Sequence, residues 1–80
     1  MKIRVLFFGM SKDIVGKNQV SLEFDDELSI AEFRQRLTKH FPGLKKMPTF
    51  AIAVNEEYAE EGRLISPNDV VAIIPPVSGG

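Results

Sequence analysis

Leu28-Ser29-Ile30-Ala31-Glu32-Phe33-Arg34-Gln35-Arg36-Leu37-Thr38-Lys39-His40-Phe41-Pro42-Gly43 is the stretch with helical periodicity in a chain otherwise made of strand-like runs. Ser29 followed by Glu32 reads as a capping box, in which each side chain satisfies a backbone N–H of the other's turn. Leu28 before the cap and Phe33 after it are placed to pack as a hydrophobic staple. Ile30, Phe33, Leu37 and Phe41 recur on one face, Arg34, Gln35, Arg36 and Lys39 lie away from it, and Pro42-Gly43 stops the run. One amphipathic helix of this kind needs an apolar surface to cover.

The flanking segments supply it. Upstream, Ile3, Val5 and Phe7 alternate with Lys2, Arg4, Leu6 and Phe8, and the β-branched and aromatic content predicts a first strand ended by Gly9. Met10 to Val15 reads as a short helical turn closed by Gly16, whose freedom at positive φ suits a C-terminal cap. Val20, Leu22 and Phe24 alternate with Ser21, Glu23 and Asp25, as in a second strand with one wet face, paired with the first. Downstream, after a loop carrying Lys45, Lys46 and Pro48, Phe50-Ala51-Ile52-Ala53-Val54 is apolar throughout, as in a strand covered on both sides or near a sheet centre. Asn55-Glu56 turns the chain into a short strand around Glu57-Tyr58-Ala59. Arg63-Leu64-Ile65 leads into the turn Ser66-Pro67-Asn68-Asp69, and Val70 to Ile74 forms the last strand.

The order strand, strand, helix, strand, short strand, strand predicts an α+β fold, with one main helix packed on one face of a mixed sheet of about five strands. The other face is then uncovered. If Ile3, Val5 and Phe7 point to the helix, Leu6 and Phe8 point away, joined by Val70, Ala72 and Ile74 if Val71 and Ile73 turn inward. Apolar residues on an open face predict a docking surface for a partner protein.

Composition narrows the classes. Eighty residues suffice for one small domain, and a chain of this size buries only roughly 60% of its unfolded surface. At 44% apolar and 26% charged residues, neither a disordered nor a membrane-spanning chain is expected. With no cysteine there is no disulfide framework, thiolate metal site or cysteine nucleophile. Met1-Lys2-Ile3-Arg4 runs straight into a strand without the pattern of a signal peptide, so a cytoplasmic protein is expected. Ten basic residues against eleven acidic ones leave no broad positive field for a nucleic-acid backbone.

Internal chemistry is sparse. Gly16-Lys17 has Ser11 where a phosphate-binding loop needs an earlier glycine. His40 is the single histidine, at the expected helix C-terminus, where an imidazolium suits the dipole; it is read as structural, and no metal site is predicted. Asp25-Asp26-Glu27 and Glu56-Glu57 with Glu60-Glu61 fall at turns and read as solvated. Lys12 lies near enough to the first strand to reach an anionic ligand bound by a partner.

The sequence closes on Pro75-Pro76-Val77-Ser78-Gly79-Gly80. The diproline favours polyproline II and a set exit direction. The expected division is a domain over 1–76 and a flexible tail over 77–80, which spans at most roughly 13–14 Å. Two glycines make the tail thin enough for a narrow channel, and the Gly80 carboxylate becomes the candidate reactive group. A carboxylate is an unreactive acyl group at pH 7 (reference pKa ~3.3–3.7). Activation calls for attack on the α-phosphate of ATP to give an acyl-adenylate. Nothing in the chain binds ATP, so that step is assigned to a partner.

The opening Ile3-Arg4-Val5-Leu6-Phe7-Phe8-Gly9, the helix start Ser29-Ile30-Ala31-Glu32-Phe33-Arg34, the segment Asn68-Asp69-Val70-Val71-Ala72-Ile73-Ile74 and the ending Pro75-Pro76-Val77-Ser78-Gly79-Gly80 together resemble the family of small, sulfur-carrying subunits of molybdopterin synthase. The resemblance covers the whole length, and the Pro-Pro-Val-Ser-Gly-Gly ending is its specific part. It implies a ubiquitin-like β-grasp fold with the first and last strands side by side at the sheet centre.

It also implies a cycle in which the chain is not catalytic alone and binds no cofactor itself. A ubiquitin-activating-type adenylating enzyme uses ATP to join AMP to Gly80, and a sulfur donor converts the adenylate to a thiocarboxylate. The loaded tail then enters the molybdopterin synthase large subunit and delivers sulfur to cyclic pyranopterin monophosphate. On this reading Gly80 is the covalent carrier and Gly79 the approach to it. Leu6, Phe8, Ile74, Pro75, Pro76, Val77 and Ser78 are the expected partner-binding residues. Lys12 stands where the family commonly has a basic residue, a candidate contact to the pterin phosphate. No nucleic acid or membrane partner is expected. A sulfur carrier for thiamine biosynthesis or tRNA thiolation, a ubiquitin-like modifier, and an interaction domain with an inert tail are the other readings left open.

Overall fold

The alternation at the N-terminus forms β1 (Lys2–Phe7): Ile3, Val5 and Phe7 are buried, and Lys2, Arg4 and Leu6 occupy the opposite face. The structure, a computed structural model, describes residues 1–47 and 49–75. After Gly9 comes α1 (Met10–Val15), closed by Gly16 at φ 82°, whose N–H donates to the Lys12 carbonyl, as the short turn predicts. β2 (Gln19–Glu23) returns antiparallel to β1, with Val5 opposite Val20. As an edge strand it leaves Val20 and Leu22 only half-buried, while Phe24, just beyond its end, is buried edge-on against Phe33 at 5.9 Å.

The capping box forms as read. Within α2 (Ile30–His40), the Glu32 N–H donates to Ser29 Oγ (3.2 Å), and the Ser29 N–H donates to Glu32 Oε1 (3.1 Å). Leu28 and Phe33 are both buried. Two contacts lay outside the local pattern. Leu28 and Ser29 form β3, which pairs antiparallel with β6 (Leu64–Ile65), a segment read as a lead-in to a turn. The Ile30 and Ala31 N–H groups donate to the Arg63 and Glu61 carbonyls, so a distant segment satisfies the helix's first orphan donors.

Arg34 departs from the expectation that it lies away from the packed face. Its guanidinium donates to the Phe50 carbonyl and to both Glu61 carboxylate oxygens, and stands 4.8 Å from the centre of the Phe50 ring. The side chain is long enough to fold its charge back to these acceptors while burying its stem. The loop expected after α2 is partly a 3-10 helix (Pro42–Lys46) that buries Leu44. A β-carbon on its Gly43 would stand only 2.8 Å from Ile14 of α1.

β4 (Ala51–Val54) and β5 (Glu57–Tyr58) form a hairpin through Asn55 (φ 50°) and Glu56 (φ 73°), the left-handed pair of a type I′ turn. Ser66 to Asp69 turns through Pro67 and Asn68 (φ 72°), closed by the Asp69 N–H donating to the Ser66 carbonyl. β7 (Val70–Ile74) follows, with Val71 and Ile73 buried and Val70, Ala72 and Ile74 on the other face.

The main sheet has the order β2-β1-β7-β4-β5. β1 and β7 lie parallel near its centre, and the other pairings are antiparallel. The β-grasp arrangement is therefore present, with α2 on one face over a core that includes Ile3, Val5, Phe33, Leu37, Ile52, Val71 and Ile73. No helix among the described residues is long and apolar enough to cross a membrane.

Candidate functional site

The uncovered sheet face follows from strand register. Leu6 on β1 pairs with Ala72 on β7, Ala72 with Ala53 on β4, and Ala53 with Tyr58 on β5, giving one row across four strands. Small residues in the middle and large ones at the ends make a trough. Ala53 is 5% exposed although no helix covers it, because its single methyl lies below its neighbours, whereas Tyr58 is 73% exposed. Toward the end of the sheet, Ile74 pairs with Ala51, and Phe8 stands half-exposed beyond β1. Ala51 apart, these residues line an open hollow of about 610 Å³ together with Val70, Asn55 and Glu56.

Leu6, Phe8 and Ile74 thus come together on one face. The alternation of the first strand pointed to Phe8, and register supplies what the sequence reading missed, Tyr58 and Ala53. A period-2 reading of Glu57-Tyr58-Ala59 contains Tyr58, but only the pairing with Ala53 shows which face it joins.

The exit from the sheet is defined by short-range contacts. The Phe8 N–H donates to the Ile73 carbonyl (3.3 Å), holding the two central strands together to their ends. Gly9 has φ 56° and ψ −137°, a backbone conformation essentially reserved for glycine. A β-carbon there would stand 3.4 Å from Pro75 Cγ, so Pro75 rests on the bare Gly9 backbone. Fully buried Ser11 locks the same corner, its Oγ donating to the Phe8 carbonyl at 2.6 Å. Lys12 is exposed beside this corner and borders a smaller hollow with Leu6, Phe8 and Gln19. The remaining predicted site residues, Pro76, Val77, Ser78, Gly79 and Gly80, lie outside the described residues.

Elsewhere, His40 is exposed and packs edge-on against Phe41, ring centres 4.7 Å apart. Among the described residues no group of His, Asp or Glu is placed to hold a metal ion. Among the described residues, Glu32 is the group whose acidity is clearly altered. The Ser29 backbone N–H, and then the Ser29 hydroxyl, donate to its carboxylate and hold its pKa below the ordinary 4.5. That is a helix-capping effect rather than catalytic tuning.

Comparison with known proteins agrees with this architecture. The ThiS family model matches residues 5–80. The molybdopterin synthase sulfur carrier subunit of Caenorhabditis elegans is 36% identical over 84 residues, covering 100% of this chain and 99% of that protein. The protein of the same name from Homo sapiens is 31% identical over 83 residues, covering 99% of this chain and 94% of its own. In structure, the chain is similar to SAMP1 from Haloferax volcanii (TM-score 0.84, 21% identity, 100% of both chains). It is also similar to a chain in the complex of subunits 1 and 2 of the molybdopterin-converting factor from Helicobacter pylori (TM-score 0.69, 24% identity, 100% of both chains). The chain belongs to the ThiS family, with relatives of 30% identity or more among the molybdopterin synthase sulfur carrier subunits.

Proposed function

We propose that this protein is the sulfur carrier of molybdenum cofactor biosynthesis, with residues 1–76 as the docking body and 77–80 as the tail. The observation that carries the reading is full-length similarity to proteins named molybdopterin synthase sulfur carrier subunit. It is supported by a body that has an apolar trough beside the point where the chain leaves β7.

The chemistry resides in the Gly80 carboxylate. Its oxygen attacks the α-phosphate of ATP held by a ubiquitin-activating-type partner, forming the acyl-adenylate and releasing pyrophosphate. Sulfide-level sulfur released by a donor then attacks the acyl carbon and AMP leaves, a C–S bond replacing the C–O bond to AMP, and the C-terminus becomes a thiocarboxylate. That sulfur bonds to cyclic pyranopterin monophosphate in the large subunit, displacing an oxygen substituent to give a thioester with Gly80, and water attacking the acyl carbon leaves the sulfur on the substrate and returns the carrier as carboxylate; two deliveries complete the dithiolene. Gly79 keeps the approach thin. Leu6, Phe8, Ile74, Pro75, Pro76, Val77 and Ser78 form the surface and stem that partners grip, and Lys12 lies at its margin. Adenylating enzyme and large subunit share this surface, so they bind in turn. The carrier binds no cofactor and works in the cytoplasm.

Mass spectrometry after incubation with an adenylating enzyme, ATP and a sulfur donor tests the reading. The expected product has oxygen replaced by sulfur at Gly80 and yields molybdopterin when mixed with large subunit and pyranopterin. Conjugates on lysines of other proteins would instead show a modifier, and an unchanged mass with competent partners would remove the carrier reading.

A further inference from the structure

The chain connections are sorted by charge. β1 and β7 are parallel and finish side by side, and at that end the chain makes two connections, residues 8–18 containing α1 and residues 41–50 containing the 3-10 helix. The two pack together through Ile14 and Gly43. Between them they expose Lys12, Lys17, Lys45 and Lys46 against a single acid, Asp13. At the opposite end lie the turn after β2 with Asp25, Asp26 and Glu27, the hairpin turn with Glu56, and the turn before β7 with Asp69. Glu23 and Glu57 stand at the adjoining strand ends, and the basic groups there are Lys2, Arg4, which borders a hollow with Asp69, and the Met1 amino group, so the acids still outnumber the bases. A net charge of −1 therefore hides two poles, and Pro75 leaves from the positive one.

Folding does not require this arrangement. The four lysines are exposed, and Arg34–Glu61 is the single ion pair within 4.0 Å among the described residues, so the positive pole is not used to hold elements together.

We infer that the lysine pole steers the tail end toward a partner protein whose tail-accepting opening has an acidic rim. The inference rests on the reading that the segment after Pro75 inserts into such an opening. Like charges grouped on one end add up to a field that acts within about a Debye length, ~8 Å at physiological salt and longer at low salt. The acidic far pole is repelled by the same rim, and at the near pole the four lysines outweigh Asp13 and the Gly80 carboxylate, so the protein approaches tail first. Fields of this kind raise association rates about 10- to 1,000-fold, and they act on the on-rate more than on lifetime.

The test measures association of the full chain with the large subunit of molybdopterin synthase by stopped flow at low and high salt, without nucleotide or pterin. The expected on-rate falls at least about tenfold from low to high salt. Lys45→Glu with Lys46→Glu lowers the low-salt on-rate about tenfold and flattens its salt dependence, while the off-rate changes less. Lys17→Glu, on the other connection, shifts the rate in the same direction, which separates steering from local damage to the 3-10 helix. Asp25→Asn with Asp26→Asn at the far pole does not lower it. An on-rate unmoved by salt and by charge reversal, with the wild type still binding, overturns the inference and leaves the carrier reading standing. Failure of the wild type to bind overturns the carrier reading itself. A salt-sensitive head-to-tail self-association that the lysine variants abolish would make a second copy the occupant and also overturns the inference.

Discussion

Pro75 rests on Gly9 across the ends of the two central strands: a β-carbon on Gly9 would stand 3.4 Å from Pro75 Cγ, and Gly9 sits at φ 56° and ψ −137°. That distance is at the edge of ordinary van der Waals contact, so the backbone conformation is the stronger constraint. Gly9→Val is expected to cost about 1–3 kcal/mol, the range for a side chain forced into such a region. Urea unfolding should show the midpoint falling with an unchanged slope, and Gly16→Val, with open space around its β-position, provides a comparison for left-handed strain alone.

Phe8 is half-exposed on the trough face. Phe8→Asp should change unfolding free energy by less than about 0.5 kcal/mol, as for other surface sites. Its expected loss of affinity for the large subunit is about 2 kcal/mol, or roughly thirtyfold, the scale of a buried interface aromatic. Isothermal titration measures it, and an unfolded variant would mean that Phe8 serves the core.

Glu56 occupies the second central position of the β4–β5 turn at φ 73°. A left-handed side chain costs about 1–2 kcal/mol, and glycine's extra unfolded-state freedom takes back about 0.4–1. Glu56→Gly should therefore stabilise by roughly 0.5–1 kcal/mol. A lowered thermal midpoint would show that the Glu56 side chain is needed beside the trough.

The Ser29–Glu32 box joins helix start to pH. Ser29→Ala should cost about 1 kcal/mol, in line with other N-cap deletions. Glu32 has a pKa held below 4.5 by the Ser29 backbone N–H and hydroxyl. Its stabilising effect is thus present above the unfolded-state value and lost as pH falls through the folded one. Glu32→Gln should remove this dependence, so that denaturation curves of wild type and variant converge below pH 4.5. A constant gap across that range would assign the effect to shape rather than charge.

Periodic and local signals were enough for most elements. The Ser29–Glu32 spacing, the alternation of Ile3, Val5 and Phe7, the Gly16 cap and the Pro67-Asn68 turn each act within a few residues, so the chain itself carries their physics. The inward-facing set Val71 and Ile73 follows from the same alternation. What depends on residues far apart in sequence was not legible. β3 and β6 are two residues each, too short for a periodic signal, and exist because each completes the other. Arg34 reads as a solvated helix residue until the fold brings the Phe50 carbonyl and Glu61 to it. The trough needs four strands in register before Ala72 and Ala53 become a floor between Leu6 and Tyr58. Sequence by itself determined most of the elements, the apolar faces and the Gly79-Gly80 ending. Tertiary structure decided which residues form a surface together and which charges share an end, because strand register and chain crossing are set by packing between segments that no local pattern connects.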